Sequence, residues 1–506
     1  MPKKLPIFYS ALLLTGVNLL LRLVGTSFQV YISGRIGAAG VGLLQLTMSV
    51  GSLAMVTGIA GVRTATMYLT AEELGKKRPG NVTWVLSGCF VYSILCSTAV
   101  AAALYFLAPT LAENWIGDVR TVNSLRLFAA FLPVSCLCGV MTGYFTAANR
   151  IGTLAAVEAA EQLCSMVVTM AVLTLWAGDD PGRACQSVVM GGCFGACLTL
   201  CCLLLLRLAE RVKPGPKIPI RSRLLQAAVP LAMADVLKSG ISTTENLMVP
   251  KRLALNSLID SPLAAFGVVS GMVFPILMFP ACILFGLAEL LIPELARCAA
   301  AGSKQRISYL VRRSLRAAML YGIVFSGLEF LLAEGLCSSL YHNAEAGRWL
   351  RLYALLIPML YCDAITDAMT KGLGQQKVCV RYNIITNFMD VLFLYFLLPK
   401  FGMQGYFFSF FVTHLVNFVL SLRRLLIITG ETIPFSVPAL SVAAALAAGW
   451  GASRFGSPVL RAGTYPILLG CLMCLFGVLG REDIAWLKGL FRGKTVSNVR
   501  SFSKSA

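Results

Sequence analysis

Charge is scarce in this sequence. Asp, Glu, Lys and Arg make up 13% of its 506 residues, where a soluble chain carries about 25%. A globule of this size would lack the polar surface to cover itself. Histidine is nearly missing: His342 and His414 stand far apart, so no histidine cluster is available for a metal. No Walker-type phosphate loop occurs, which excludes an ATP site within the chain. Long polar stretches are also wanting, since most connections between apolar blocks are shorter than 20 residues. No soluble domain is inserted, and the formal charge of +20 therefore has no basic domain to carry a nucleic-acid footprint.

What is present is apolar blocks of about 20 to 29 residues, long enough to cross a hydrocarbon core of about 30 Å as helices. Barrel strands would instead show alternating segments of about 10 residues. The expected spans are approximately 6–33, 41–69, 83–111, 122–147, 153–177, 185–208, 225–250, 263–292, 310–335, 349–371, 378–399, 404–425, 434–453 and 462–480. The fold class is an all-α polytopic membrane protein with about fourteen transmembrane helices. The first block follows Lys3 and Lys4, as a signal peptide would. Its apolar run is much longer than a signal core and contains Arg22, so it reads as a retained helix.

The seventeen cysteines lie mostly inside apolar blocks, where free cysteine acts as a small packing residue. Cys471 and Cys474 have C-x-x-C spacing, with no second pair and no histidine nearby to complete a metal site.

Cationic residues sort by face. With the N-terminus in the cytoplasm, 29 of the 43 Lys and Arg residues fall inside and 11 outside, while Arg22, Arg63 and Lys238 lie within the membrane. That bias supports cytoplasmic N- and C-termini and an even number of crossings. After Ala485, Trp486, Leu487, Leu490 and Phe491 mix with Lys488 and Arg492, as in an interfacial amphipathic helix.

An internal echo suggests duplication. Arg22 and Arg35 are thirteen residues apart and precede Ala38-Ala39-Gly40-Val41-Gly42; Lys238 and Lys251 have the same separation and precede Ala264-Ala265-Phe266-Gly267-Val268. Six crossings per unit would make the halves parallel repeats. The expected division is an N-terminal lobe at 1–208, a C-terminal lobe at 209–425, a two-helix appendage at 426–480 and a basic cytoplasmic tail at 481–506.

Ionisable side chains at mid-bilayer cost about 2.5–3.5 kcal/mol, so each needs a reason. Arg22 has Asn18 one turn before it. Lys238 shares a stripe with Asp235 and Glu245, Asp363 and Asp367 lie at i, i+4, and Asn383, Asn387 and Asp390 form a further stripe. Glu158 and Glu161 sit early in the fifth span. Structural salt bridges would account for Lys238, and snorkelling to lipid phosphate for Arg63. Arg22 has no acid nearby on its helix, which favours a solvated cavity. Such a cavity suits an anionic group such as pyrophosphate, which Arg grips through two hydrogen bonds. The expected substrate-binding set is Arg22, Arg63, Lys238 and Asn18. The expected ion-coupling set is Asp235, Glu245, Asp363, Asp367 and Asp390, for a proton or Na⁺. No cofactor or metal is expected, only a proton or Na⁺ gradient or the membrane potential. Gly34, Gly37, Gly40 and Gly42, with Pro230, Pro275, Pro280 and Pro358, mark sites where helices bend.

The run Arg35-Ile36-Gly37-Ala38-Ala39-Gly40-Val41-Gly42-Leu43-Leu44-Gln45, after a first helix with a central cation, resembles the start of stage V sporulation protein B-like proteins. Lys371-Gly372-Leu373-Gly374-Gln375-Gln376-Lys377 is similar to the second half of the same family. These proteins belong to the polysaccharide-transporter branch of the multidrug/oligosaccharidyl-lipid/polysaccharide exporter superfamily, which includes lipid II flippases. The resemblance implies two six-helix lobes in a V around a central cavity, alternating access, and placement in the bacterial cell membrane. It implies a substrate of undecaprenyl pyrophosphate carrying sugars, such as a peptidoglycan or other cell-wall precursor. It also assigns Arg22 and Arg63 to the cavity. The arginine that flippases place on the eighth helix has no counterpart here, where Glu289 stands, and Lys238 is the candidate substitute. Two rivals differ in class. A cation-coupled multidrug exporter of the same superfamily would want an acidic cavity. A membrane enzyme acting on lipid-linked sugars would need a catalytic base or metal on a sizeable outer loop, and these loops are short.

Overall fold

The computed structural model describes residues 7–178, 180–210, 215–216, 220–431 and 436–478, with the side chains of 7–19, 22, 289, 290, 293 and 436 outside that description. The expected tail helix after Ala485 lies outside the described residues. Among those described, all regular structure is helical and no strand occurs. In lipid a backbone N–H or C=O finds no water, and a helix is the one open-ended element that satisfies both internally.

The helices are α1 (Ile7–Ile59), α2 (Val62–Gly75), α3 (Asn81–Thr110), α4 (Val122–Ala147), α5 (Ile151–Val172), α6 (Pro181–Ala209), α7 (Arg221–Leu253), α8 (Pro262–Gly267), α9 (Phe274–Leu277), α10 (Ala281–Ala300), α11 (Lys304–Tyr341), α12 (Ala344–Ala354), α13 (Ile357–Gly372), α14 (Gln376–Thr429), α15 (Ser436–Ser453) and α16 (Pro458–Leu475). Nine helices among the described residues are long and apolar enough to cross a membrane, or eleven if each of two bent pairs is one span. At 1.5 Å per residue, α1 and α14 each run about 80 Å, enough for two crossings. Each is broken by a glycine: Gly37 in α1 at φ 70° and Gly402 in α14 at φ 55°. A side chain would strain the backbone at either place.

Three expected spans are not straight. The second is interrupted by Ala60 and Gly61, at φ 45° and 71°, so that α2 starts two residues before Thr64. The eighth bends by 65° between α9 and α10, and the tenth by 57° between α12 and α13. Pro280 and Pro358 lie at these bends, where a missing N–H and the ring's bulk break the ladder.

The chain forms two compact units. One comprises residues 1–283, 340–342 and 380–417; the other 284–339, 343–379 and 418–506. In the first, Leu69 of α2, Val85 of α3, Phe145 of α4, Leu203 of α6 and Leu224 of α7 share one buried cluster. In the second, Ala444 and Ala448 of α15 and Tyr465 and Leu469 of α16 pack with Ile323 of α11. The Tyr465 hydroxyl donates to the Ile323 carbonyl at 3.2 Å.

One inter-helix loop is fixed by an ion pair. Arg120 donates from Nε and Nη2 to the Asp118 carboxylate at 3.0 and 2.6 Å, and from its backbone N–H at 2.9 Å. Burial pushes the Asp118 carboxyl up, but these Arg120 hydrogen bonds and its charge outweigh that and hold it below the ordinary carboxylate range. A depressed native value gives stability above the unfolded value, near ~4, and loses it as pH falls through the native one. Asp118→Asn should lower stability at pH 7 by under about 1 kcal/mol, because the pair is partly exposed. In thermal melts of detergent-solubilised protein, the gap between variant and parent should close below about pH 4.

Candidate functional site

Arg63 stands on the first turn of α2, immediately after the Ala60–Gly61 break, and its side chain is exposed. Gly143 lets α2 lie close to α4, since a Cβ there would collide with the Arg63 carbonyl. Glu158 of α5 is within electrostatic reach of both Arg63 and Glu161. Glu161 accepts a hydrogen bond from Thr199 Oγ1 at 2.7 Å. Its neighbour Gln162 donates to the Leu21 carbonyl of α1 at 3.1 Å. The α1 backbone one residue before Arg22 therefore rests on the same stretch of α5. The side chains of Arg22 and Asn18 lie outside the described residues.

On α7, Asp235 and Lys238 are both exposed, and neither has a hydrogen-bond or ion-pair partner among the described residues. Lys238 pairs with neither Asp235 nor Glu245, so the salt bridges that the stripe suggested do not form. One turn further, a cavity of about 180 Å³ opens between α1 and α7, lined by Gln45, Ser49, Ser52, Ser242 and Asn246 among others. Its walls are joined by Asn246 Nδ2 donating to Ser49 Oγ at 3.0 Å and Thr243 Oγ1 to the Ser49 carbonyl at 3.1 Å. Hydroxyls and amides predominate, a surface suited to hydrogen-bonding neutral polar groups.

Glu245 of α7 and Asp390 of α14 come within electrostatic reach of each other. Asp390 accepts from Ser409 Oγ and, at 3.5 Å, from Thr413 Oγ1. Glu245 Oε1 is buried without a hydrogen-bond partner among the described residues. Two carboxyls within electrostatic reach of each other, with hydroxyls on Asp390 and one Glu245 oxygen unmatched among the described residues, make an acidic region suited to a proton or a small hard cation. The remaining expected acids are elsewhere: Asp363 and Asp367 belong to α13 in the other compact unit. Asp367 is already paired, with Lys371 Nζ at 2.5 Å.

The sequence matches the MatE family over residues 230–396 and a polysaccharide biosynthesis protein family over residues 38–259. Stage V sporulation protein B of Bacillus subtilis (strain 168) is 20% identical over 411 residues, 78% of each chain. The chain is a membrane transporter related to that protein. Among solved structures, the lipid II flippase MurJ in an inward closed conformation matches 92% of this chain and 98% of its own, with TM-score 0.68 and 14% identity. The inward-facing form of a multidrug resistance MATE transporter of the MOP superfamily covers 83% of this chain and all of its own, with TM-score 0.64 and 13% identity. A MOP superfamily transporter from Pyrococcus furiosus, described as having a binding pocket of reversed polarity, gives TM-score 0.56 at 14% identity over 83% of this chain and 96% of its own. The relatives of this transporter are transporters and flippases, not enzymes.

One functional-scale network was invisible in the transporter's sequence. Arg223 of α7 donates to Glu73 at 3.1 Å and to Glu72 at 2.7 Å. Asn81 of α3 donates to the second Glu73 oxygen at 3.0 Å. Glu73 is buried at 2% exposure. This knot fastens the end of α2 and the start of α3 to the start of α7. Arg223 counts in sequence only toward the cationic bias of one face; the acidic pair Glu72-Glu73 was the available signal. Arg223→Ala strips a buried carboxylate of a charged partner and should cost about 1–3 kcal/mol. Arg223→Lys should recover part of that, because charge returns without the two-pronged grip. Thermal unfolding in detergent of the two variants would read both effects.

Proposed function

We propose that this transporter is a flippase for an undecaprenyl-pyrophosphate-linked oligosaccharide, a peptidoglycan or other cell-wall polysaccharide precursor, moved by alternating access. The observation that carries the reading is the exposed Arg63 at a helix break, on a bundle where α5 also holds the α1 backbone beside Arg22. Two guanidiniums within the membrane favour an anionic head group, since each offers two parallel hydrogen bonds to phosphate oxygens. Lys238 is unpaired among the described residues and supplies a third cation. The polar cavity near it suits sugar hydroxyls. The likeness of this chain to the lipid II flippase, whose name gives a lipid-linked substrate, supports the reading. In this reading the lobes are 1–208 and 209–425, 426–480 is the appendage, and both termini are cytoplasmic in a bacterial cell membrane. The transporter's own partners are the lipid-linked pyrophosphate sugar and membrane lipids, with no nucleic acid and no ATP.

The Glu245–Asp390 pair is the coupling site in this reading, loaded by a proton or Na⁺. The same pair favours a second reading, a cation-coupled multidrug exporter of the MatE type, because two neighbouring acids also attract cationic substrates.

Native mass spectrometry of the purified transporter, offered undecaprenyl-pyrophosphate-linked sugar against a lipophilic cationic dye, separates the two. Selective retention of the pyrophosphate lipid is expected, with Arg22→Ala and Arg63→Ala each weakening it about tenfold or more. Retention untouched by both substitutions sinks the pyrophosphate clamp. A preference for the dye, lost when Glu245 or Asp390 is neutralised, establishes the exporter reading. In reconstituted vesicles, Glu245→Gln with Asp390→Asn should abolish dependence of transport on the proton or Na⁺ gradient while leaving pyrophosphate-lipid binding in place. Gradient dependence that survives the double variant removes this pair from the coupling role.

A further inference from the structure

A groove of about 830 Å³ opens between α3 and α7, with neither Arg63 nor the acid pair in its lining. On α3 it is lined by Trp84, Gly88, Val91 and Leu95, spaced so that they form one helical stripe. From Trp84 to Leu95 the stripe is about 16 Å long. Val91 and Leu95 are 57% and 66% exposed, so this wall is open and apolar. The back wall is held in place by Tyr92, whose hydroxyl donates to the Ala60 carbonyl at 3.2 Å. Gly88 sets the depth: a Cβ there would already meet Ile220 Cγ2 at 3.5 Å, and a larger side chain would fill the space.

The two ends differ in polarity. At one end Trp84 is fixed by its indole N–H donating to the Gly215 carbonyl at 2.8 Å, and Arg221 lines the groove from the first turn of α7. Arg221 is exposed and has no hydrogen-bond or ion-pair partner among the described residues. Its near neighbour Arg223 is consumed by Glu72 and Glu73. The first turn of α7 also carries no side-chain cap, and its unsatisfied N–H groups add positive potential beside the guanidinium. Trp is the side chain that settles at membrane–water interfaces, which places the cationic end at head-group depth and the apolar end among acyl chains.

We propose that this groove holds one anionic glycerophospholipid of the surrounding bilayer, its phosphate on Arg221 and an acyl chain lying along Gly88, Val91 and Leu95. The lipid is a resident ligand, separate from the transported substrate. A cationic amphiphile meets the wrong charge at the Arg221 end. A soluble phosphate gains one exposed guanidinium and none of the apolar wall. An anionic phospholipid satisfies both ends, and it wedges the α3–α7 seam beside the Ala60–Gly61 break from which α2 begins.

The test is lipid retention by the delipidated full-length transporter in detergent, read by native mass spectrometry with phosphatidylglycerol, phosphatidylcholine or soluble glycerol phosphate as probes. Phosphatidylglycerol should be retained over phosphatidylcholine, and glycerol phosphate should neither bind nor displace it. One arginine near a membrane surface contributes about 1 kcal/mol toward an anionic lipid, so Arg221→Gln should reduce phosphatidylglycerol retention about fivefold. Arg348→Gln, an exposed cation elsewhere, should not. Gly88→Leu should abolish the selectivity by filling the groove. If that variant unfolds, Leu225→Trp blocks the groove from its exposed side and should do the same. Equal retention of the two lipids by the parent protein, full retention by Arg221→Gln, or displacement by glycerol phosphate would each overturn the proposal. No readout depends on transport, so the result stands apart from the substrate assigned above.

Discussion

The first compact unit depends on how closely α1 approaches α8 and the turn that follows it. A Cβ on Gly42 would collide with the Leu263 carbonyl, one on Gly267 with the Ala38 carbonyl, and one on Gly271 with the Val41 side chain. In lipid no hydrophobic force draws helices together, because tails are as apolar as leucine; close backbone packing has to supply the attraction. Glycine on both partners is what makes that approach sterically open. The Gly37 break lies just before this contact and lets the chain turn within one continuous helical run.

Breaks of this kind recur where chemistry is concentrated. Ala60 and Gly61 interrupt the helix immediately before Arg63, and Gly61 itself packs against the backbone of α7 at Ala228 and Ala232. Backbone freed from the helical ladder is tolerated at membrane depth only where protein covers it. A break against α7 therefore fixes both the direction of α2 and the point from which the guanidinium projects. The Tyr92 hydroxyl answers the Ala60 carbonyl left open by the turn.

The charged residues divide into two kinds. Those at helix ends are tied into knots: Arg223 with Glu72 and Glu73, and Arg150 and Arg207 with Glu210, which also accepts from the Tyr144 hydroxyl. Arg63, on the first turn of α2, and Asp235 and Lys238, nearer the middle of α7, are left exposed. A buried ion that loses its partner is costly, so the first kind holds helices in register. The second kind has no hydrogen-bond or ion-pair partner among the described residues.

Much of this architecture was legible from the sequence, because block length against bilayer thickness is a local property of the chain. The runs around Gly37, Pro280 and Pro358 even marked where helices turn, since glycine and proline act through their own backbone. The mid-membrane charges could be found one by one for the same reason: each is anomalous where it stands. Their groupings could not. Glu245 and Asp390 are far apart in sequence and come within electrostatic reach only because the fold brings α7 and α14 together, as Arg252 over the Tyr395 ring shows, whereas Asp363 and Asp367, equally acidic and regularly spaced, fall in the other unit with Asp367 already paired. Sequence by itself determined that the chain must cross a membrane as helices, because apolar blocks of that length have no other stable solvent. Which charges are spent on each other and which remain free was decided by tertiary packing alone, because a salt bridge depends on distance in space and not on position along the chain.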